Sequence, residues 1–411
     1  MNPIAFLLAL LALAYVGSIL VGGRAIRGFG LASGAEYLVL GFVLGPQLLS
    51  VVSRSLIDGF QAVIMVGVSW LGLVLGVSYL RVAQRQVPWP RVALGIGLSA
   101  LVSASVSAAV YFCATAFTAL PRVDAIAFAG AAGLVCSETT RHSARWVVER
   151  YGAQGPLADL AADTSRASAL FAALALSVVS AWLPGAALPG LSLIERVLVS
   201  IGLGVVLGLT ATLLLGREFR RDESWGILLG TSLLGSGAAA RLNLSPISTT
   251  FAMGLTLAIV SRHRLDIKAM VTPTEKPVLL PVVLLAGASV NVKLPAVLLV
   301  LVAVALAVKV VARVLLGTAL GVGSPPARNV GFEFGVSMLS SGALGLAVAL
   351  AVTARHPGQV SDAILLLAAL GVLLGEGLGP AALRRALTRA GEIKPEEAPE
   401  LSPPPNLERG V

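Results

Sequence analysis

The chain has 411 residues, of which 56% are hydrophobic and only 12% are charged, and its formal net charge is +9. Soluble domains usually carry about 25% charged residues, so this composition excludes an ordinary soluble protein and predicts a polytopic membrane protein. The low aromatic content and the lack of alternating hydrophobicity argue against a β-barrel, so we expect membrane-spanning helices. The basic excess is typical of cytoplasmic loops in such a protein and does not indicate a nucleic-acid partner.

Apolar stretches of about 20 residues predict thirteen membrane spans, each long enough to cross a bilayer. In chain order the predicted spans are residues 3–22, 34–52, 59–80, 91–117, 124–148, 157–182, 190–215, 225–240, 246–261, 272–290, 294–317, 329–353 and 360–380. We expect residues 1–388 to form one transmembrane domain and the polar, proline-rich residues 389–411 to form a disordered tail.

The distribution of Lys and Arg predicts the orientation of the chain. These residues are concentrated in the loops that follow odd-numbered spans. Because basic residues accumulate on the cytoplasmic side, we expect the N-terminus outside and the C-terminus in the cytoplasm. The predicted location is the inner membrane of a bacterium.

The sixth predicted span contains a carboxylate, Asp163, about a quarter of the way along. A charge in hydrocarbon costs several kcal/mol, so an intramembrane Asp indicates a functional site. The hydroxyls of Thr164 and Ser165 follow it and are suited to complete an oxygen shell for a small hard cation. Arg166 shares its helix face, which leaves a structural Asp–Arg pair as the alternative interpretation.

Two spans contain polar interruptions near their middle. The fifth has the run Ser137, Glu138, Thr139 and Thr140, and the twelfth has Ser340, Ser341 and Gly342. Such runs predict broken helices whose freed backbone groups face a cavity. For the fifth span the alternative is that the helix simply ends there. Two interrupted spans of this kind are typical of a transporter built from inverted repeats.

Further ionisable residues occur in the later spans. Lys309 lies deep in the eleventh span, where it either needs a carboxylate partner, for which Asp163 is a candidate, or loses its charge. Arg313, one turn later, is expected to extend to the cytoplasmic interface. Glu333 in the twelfth span is a secondary site candidate, whereas Glu275 and Glu376 are expected to be structural.

These residues resemble the monovalent cation:proton antiporter superfamily, the sodium/hydrogen exchanger-like transporters, over about residues 34–385. The run Gly41-Phe42-Val43-Leu44-Gly45-Pro46 is similar to the second-span signature of that family. Asp163 falls at the expected ion-binding Asp, Lys309 at a basic residue that pairs with the site, and the two polar interruptions at the two broken helices. The chain departs from the family in having Ala162 before Asp163, where the family has a paired acid or Asn-Asp.

The resemblance implies a thirteen-span fold with a mobile core and a dimerisation part, and alternating access of an elevator kind. We therefore expect an antiporter that exchanges protons for sodium or potassium and forms a homodimer in the lipid bilayer, with no cofactor and no enzymatic activity. Two alternatives remain open. One is an anion or organic-acid symporter of similar fold that uses Arg166, and the other is a non-transporting relative with a degenerate site.

Overall fold

The computed structural model describes residues 34–79, 88–118, 120–182, 191–216 and 220–393, and regular structure in these ranges is helical. The predicted first span, residues 3–22, lies outside the described residues, as do residues 394–411 of the predicted tail 389–411. The α-helices are α1 (Ala35–Leu44), α2 (Arg54–Ser78), α3 (Trp89–Phe117), α4 (Arg122–Ser137), α5 (Arg141–Tyr151), α6 (Pro156–Trp182), α7 (Leu193–Leu214), α8 (Arg221–Arg241), α9 (Pro246–Val260), α10 (Arg264–Val271), α11 (Glu275–Ser289), α12 (Ala296–Gly323), α13 (Gly331–Ser337), α14 (Ala343–Arg355) and α15 (Gln359–Arg389).

Within the described ranges, seven helical segments are long and apolar enough to cross a membrane. They are α2, α3, α6, α7, the continuous segment Arg264–Ser289, α12 and α15. The prediction of an all-α polytopic membrane protein is therefore confirmed. Most predicted spans match observed helices within a few residues, but α1 ends at Leu44, well before the predicted residue 52. Gly45 takes an extended conformation there, as expected for a residue that precedes a proline.

The helices pack into two groups. One group, which we call the scaffold bundle, consists of α1, α2 and α7 to α11, and its most extensive packing is between α9 and α2, α9 and α7, and α11 and α1. The other group, which we call the core bundle, consists of α3 to α6 and α12 to α15, with α3 packed on α4, α6 and α12. Contacts between the bundles are mainly those of α6 with α7 and α9, and those of α14 with α2 and α11. The two bundles are thus separate packing units of one chain.

Glycines bring helices of the scaffold bundle into backbone contact. A Cβ atom on Gly76 of α2 would overlap the carbonyl oxygen of Phe251, and a Cβ on Gly254 of α9 would overlap that of Leu73. Small residues at such positions let membrane helices approach closely and gain dispersion contacts. This accounts for the tight packing of α2 against α9.

The core bundle contains two three-part units of opposite direction. The first is α3, the interrupted pair α4–α5, and α6, and the second is α12, the interrupted pair α13–α14, and α15. We call the end of the bundle where α6 begins the Asp159 face, because Arg91 of α3 contacts Asp159 of α6 there, 3.5 Å apart. Glu392, which follows the end of α15, contacts the start of α6, so α15 begins at the opposite end, which we call the Asp362 face. This arrangement confirms the predicted inverted repeats with two broken helices.

Candidate functional site

The two broken helices cross in the interior of the core bundle. Helix α4 ends at Ser137 and α5 begins at Arg141, while α13 ends at Ser337 and α14 begins at Ala343. The backbone N–H of Thr140 donates to the carbonyl of Ser340 at 2.9 Å, and the hydroxyl of Thr139 donates to the carbonyl of Met338 at 3.1 Å.

The extended residues between the half-helices therefore satisfy one another. All residues predicted to form the crossing are buried: Ser137, Glu138, Thr139, Thr140, Ser340, Ser341 and Gly342. The predicted helix break at residues 138–140 is confirmed over the alternative that the fifth span ends there.

A carboxylate caps one half-helix at the crossing. Glu138 is 3% exposed, and its Oε2 accepts a hydrogen bond from the N–H of Gly342 at 2.7 Å. Gly342 is the N-cap of α14, so this negative charge lies at the positive end of the α14 dipole. The N-terminus of α14 needs such an acceptor because its first N–H groups have no partner within the helix.

A guanidinium group lies at the end of the other half-helix. Arg313 of α12 is fully buried and donates to the carbonyls of Cys136 and Ser137, where α4 ends, and to the hydroxyl of Thr139. The positive charge thus lies at the negative end of the α4 dipole. The expectation that Arg313 extends to the cytoplasmic interface is wrong, because the end of α4 offers it unpaired carbonyl acceptors inside the protein.

Lys309 also belongs to the crossing. It is 1% exposed, and its Nζ donates to the hydroxyl of Ser341 at 2.5 Å. The sequence leaves open whether Asp163 pairs with Lys309 or with Arg166. The Lys309 pair is not formed, because Lys309 reaches the second broken helix while Asp163 contacts arginines of α3 and α6. The crossing therefore holds two basic side chains and one carboxylate, Glu138.

Asp163 lies in the second turn of α6, and it is 6% exposed. Its carboxylate is 3.2 Å from Arg166, one turn later, and 3.4 Å from Arg91 at the start of α3. Asp163 therefore forms ion pairs with two arginines. Arg91 is shared between Asp163 and Asp159, whose side chain is 71% exposed, so Asp163 lies close to the solvent at the Asp159 face.

The hydroxyls next to Asp163 donate to carbonyls of their own helix. Thr164 donates to the carbonyl of Leu160 at 2.7 Å, and Ser165 donates to that of Ala162 at 3.0 Å. Hydroxyl oxygens that donate in this way keep lone pairs for a ligand. Thr164 and Ser165 therefore stay predicted cation ligands.

Ser168 connects the Asp163 helix to the crossing, and the sequence analysis missed it. Its hydroxyl accepts the N–H of Thr139 at 2.8 Å and donates to the carbonyl of Ser137 at 2.9 Å. It lies four residues after Thr164, on the same helix face, and this spacing was the available signal. Through Ser168, α6 is fixed to the backbone of the first broken helix.

Three further acidic residues contact other partners. Glu333, a secondary candidate of the sequence analysis, forms an ion pair with Arg389, whose side chain is largely exposed. Glu275 binds Arg141 and lies 3.2 Å from His142, which joins the scaffold bundle to α5. Glu376 accepts a hydrogen bond from Ser143 at 2.5 Å within the core bundle.

Two helix bundles, one of which contains crossed broken helices with buried charges, define the class of fold found in sodium/proton antiporters. No family model and no curated protein sequence matches the chain. Among solved structures, the sodium proton antiporter MjNhaP1 from Methanocaldococcus jannaschii at pH 8 is similar, with a TM-score of 0.69, 14% identity, and coverage of 95% of this chain and 99% of that one.

A second structure of MjNhaP1, described as an electron-microscopy map, gives a TM-score of 0.68 at 18% identity with the same coverage. At these identities the similarity shows the fold. The predicted resemblance to monovalent cation:proton antiporters is confirmed at that level, and the chemistry must be argued from the residues of the site.

Proposed function

We propose that this chain is a secondary active antiporter that exchanges protons for a monovalent cation, sodium or potassium, across a membrane by alternating access. The observation that carries the proposal is the position of Asp163. A buried carboxylate lies on a helix that is hydrogen-bonded through Ser168 to a crossing of two broken helices. The fold around it is similar to a sodium proton antiporter over 95% of the chain.

Asp163 would bind a proton and the transported cation in competition. A single carboxylate cannot hold both, so occupancy by one excludes the other and couples the two movements. Oxygen ligands are those preferred by small hard cations, and Thr164 and Ser165 supply two candidates beside it. Arg91 and Arg166 neutralise Asp163 when neither ion is bound, which avoids an uncompensated charge in the protein interior.

The crossing supplies the fixed part of the mechanism. Glu138 and Arg313 neutralise the ends of two half-helices, so the broken backbone is stable within the membrane. Lys309 adds a positive charge next to Ser341. In this account the crossing holds α6 in place and shapes the local field, while Asp163 carries the ion.

Alternating access requires the core bundle to move against the scaffold bundle. Polar contacts join the bundles at both faces: Arg141 binds Glu275 in the half towards the Asp159 face, and Asp362 accepts from Asn291 at 2.9 Å at the other. Movement would break these contacts in turn. We further propose that the Asp159 face is cytoplasmic, and that the protein is a homodimer of the bacterial inner membrane.

A second candidate is an anion or organic-acid symporter of the same fold. The observation that favours it is the excess of basic groups, since Arg91 and Arg166 surround Asp163, and Lys309 and Arg313 exceed Glu138 at the crossing. Buried basic groups and half-helix N-termini form anion sites in transporters. In that case Arg166 would be indispensable and Asp163 would only position it.

The test is transport by the purified protein in proteoliposomes that carry a pH gradient reported by an internal dye. The antiporter predicts that sodium, potassium or lithium added as a salt of an impermeant anion dissipates the gradient. Protein-free liposomes are the control. A gradient that persists with all three cations but collapses when an organic acid is added would overturn the antiporter and support the symporter. No response to any of them would indicate a non-transporting relative.

A further inference from the structure

The last residues that the structure describes fold back onto the helix that carries Asp163. Helix α15 ends at Arg389, and Gly391 has a φ of 73°, which glycine adopts without strain. The N–H of Glu392 donates to the carbonyl of Leu387 at 2.9 Å and the N–H of Gly391 donates to that of Thr388 at 3.1 Å. This pattern is a Schellman motif, and it fixes where Glu392 leaves the helix.

Glu392 caps the beginning of α6. Its carboxylate accepts the N–H of Leu157 at 2.7 Å and the N–H of Ala158 at 2.8 Å, and its carbonyl accepts the N–H of Gln154 at 3.2 Å. The residue before Pro156, which starts α6, is Gly155, and it has no side chain for capping. A residue 235 positions away therefore supplies the acceptor that an N-cap side chain usually provides.

Gly155 also makes room for this contact. A Cβ atom at that position would overlap the carboxyl group of Glu392. The missing side chain thus has two consequences: α6 lacks a local cap, and the carboxylate of Glu392 can approach its first turn. Gly155 and Glu392 thus form one cap at the Asp159 face, from two segments that are far apart in the sequence.

The same helix α15 contacts the crossing. A Cβ on Gly375 would overlap the backbone of Leu339 and Ser341, and one on Gly379 would overlap the hydroxyl of Ser340. Helix α15 therefore touches the second broken helix in its middle and holds the start of α6 at its end. The position of the Asp163 helix relative to the crossing is fixed at Ser168 on one side and at Glu392 on the other.

We propose that Glu392 is a positioning residue for the ion site at Asp163, a role that rests on the proposed function. It acts in two ways. It holds the first turn of α6, whose next turn carries Asp163, and its negative charge offsets the positive potential at the N-terminus of α6. The first effect keeps the Asp163 carboxylate in place. The second favours a cation there, since an uncompensated helix N-terminus opposes positive charge nearby.

The first experiment compares Glu392→Gln and Glu392→Ala with the wild type in the proteoliposome assay. Loss of a charge near a helix N-terminus corresponds to an expected rise of about two- to five-fold in the KM for the cation, with little change in maximal rate. Glu149→Gln, which alters an exposed ion pair with Arg145 in the neighbouring helix α5, is the matched control and should keep the wild-type KM. A wild-type KM in both Glu392 variants would overturn the proposal.

The second experiment measures the capping contact of Glu392 independently of transport. Hydrogen exchange of the amides of Leu157 and Ala158, measured by mass spectrometry, should accelerate in Glu392→Ala and in Gly155→Ala, but not in Glu149→Gln. Unchanged exchange in Glu392→Ala would overturn the capping contact itself. If exchange accelerates as expected while Asp163→Asn transports normally, the proposed ion site fails and the effect of Glu392 on it fails with it, although the cap remains.

Discussion

The carboxylate of Glu138 accepts a hydrogen bond from the backbone N–H of Gly342 at 2.7 Å, although the two residues are 204 positions apart in the sequence. One broken helix thus supplies the N-terminal cap of the other. With Arg313 on the carbonyls at the end of α4, the crossing satisfies its helix ends with charges of the appropriate sign. Broken helices are tolerated in a membrane protein when their free backbone groups are satisfied in this way.

Replacement of Glu138 should destabilise the crossing. In Glu138→Ala the N–H of Gly342 loses its acceptor in a buried position, and a hydrogen bond to a charged group contributes about 1.5–3 kcal/mol. Glu138→Gln keeps an acceptor oxygen and should lose less. Thermal unfolding in detergent measures both, with Glu223→Gln, at an exposed ion pair, as the control. Melting of Glu138→Ala at the wild-type temperature would contradict the capping role.

Arg313 should be more sensitive than an exposed arginine. Arg313→Leu leaves Glu138 without a nearby guanidinium and the end of α4 without a donor, and removal of one buried charge typically costs about 3–5 kcal/mol. Arg313→Lys keeps the charge but not the forked geometry, so an intermediate loss is expected. The free energy of unfolding from chemical denaturation measures the loss. Arg145→Leu, at a surface position, is the control, and equal stability of the two leucine variants would refute the account.

Arg91 should weaken cation binding at Asp163. It is a positive group held 3.4 Å from the carboxylate, and it competes with the transported ion. Partly exposed pairs contribute about 0.2–1 kcal/mol, so Arg91→Gln should lower the KM for the cation by up to about five-fold. The assay is cation-dependent proton movement, and Arg145→Gln should have the wild-type KM. A higher KM in Arg91→Gln would show that Arg91 supports the site instead of competing for it.

The glycine contact between α2 and α9 offers a matched pair for stability. Gly254→Ala places a Cβ against the backbone of Leu73, whereas Gly202→Ala on α7 meets nothing within 4 Å. Overpacking costs about 1–3 kcal/mol, so the first variant should melt at a lower temperature than the wild type and the second should not. If both alanine variants melted alike, close packing of α2 on α9 would not be a source of stability.

Much of the fold could be predicted from local sequence. The spans follow from runs of apolar residues, and the two helix breaks follow from polar runs at Ser137 to Thr140 and Ser340 to Gly342. Both signals can be read at each position of the chain, because hydrocarbon excludes polar side chains and unsatisfied backbone groups. They require no knowledge of which helices pack together. The start of α9 is equally local, because Ser245 caps it and Pro246 occupies its first turn.

The partners of the charged residues could not be predicted in this way. The sequence leaves open whether Asp163 pairs with Lys309 or with Arg166, because these contacts depend on the rotation and depth of α12 and α6. Arg313 is expected at the membrane interface because its side chain is long, and no feature of the nearby sequence shows that α4 ends beside it. Glu392 lies in a polar stretch after the last span, and its role depends on a glycine 237 positions earlier in the chain, Gly155.

The central claim is that Asp163 carries the transported ion, and the most direct test compares Asp163→Asn with Glu223→Gln and the wild type. All three proteins are reconstituted at equal density, and dissipation of a pH gradient is followed as sodium or potassium is added. We predict that Glu223→Gln behaves as the wild type while Asp163→Asn shows no cation-dependent dissipation. Dissipation at the wild-type rate by a correctly folded Asp163→Asn protein would contradict the claim.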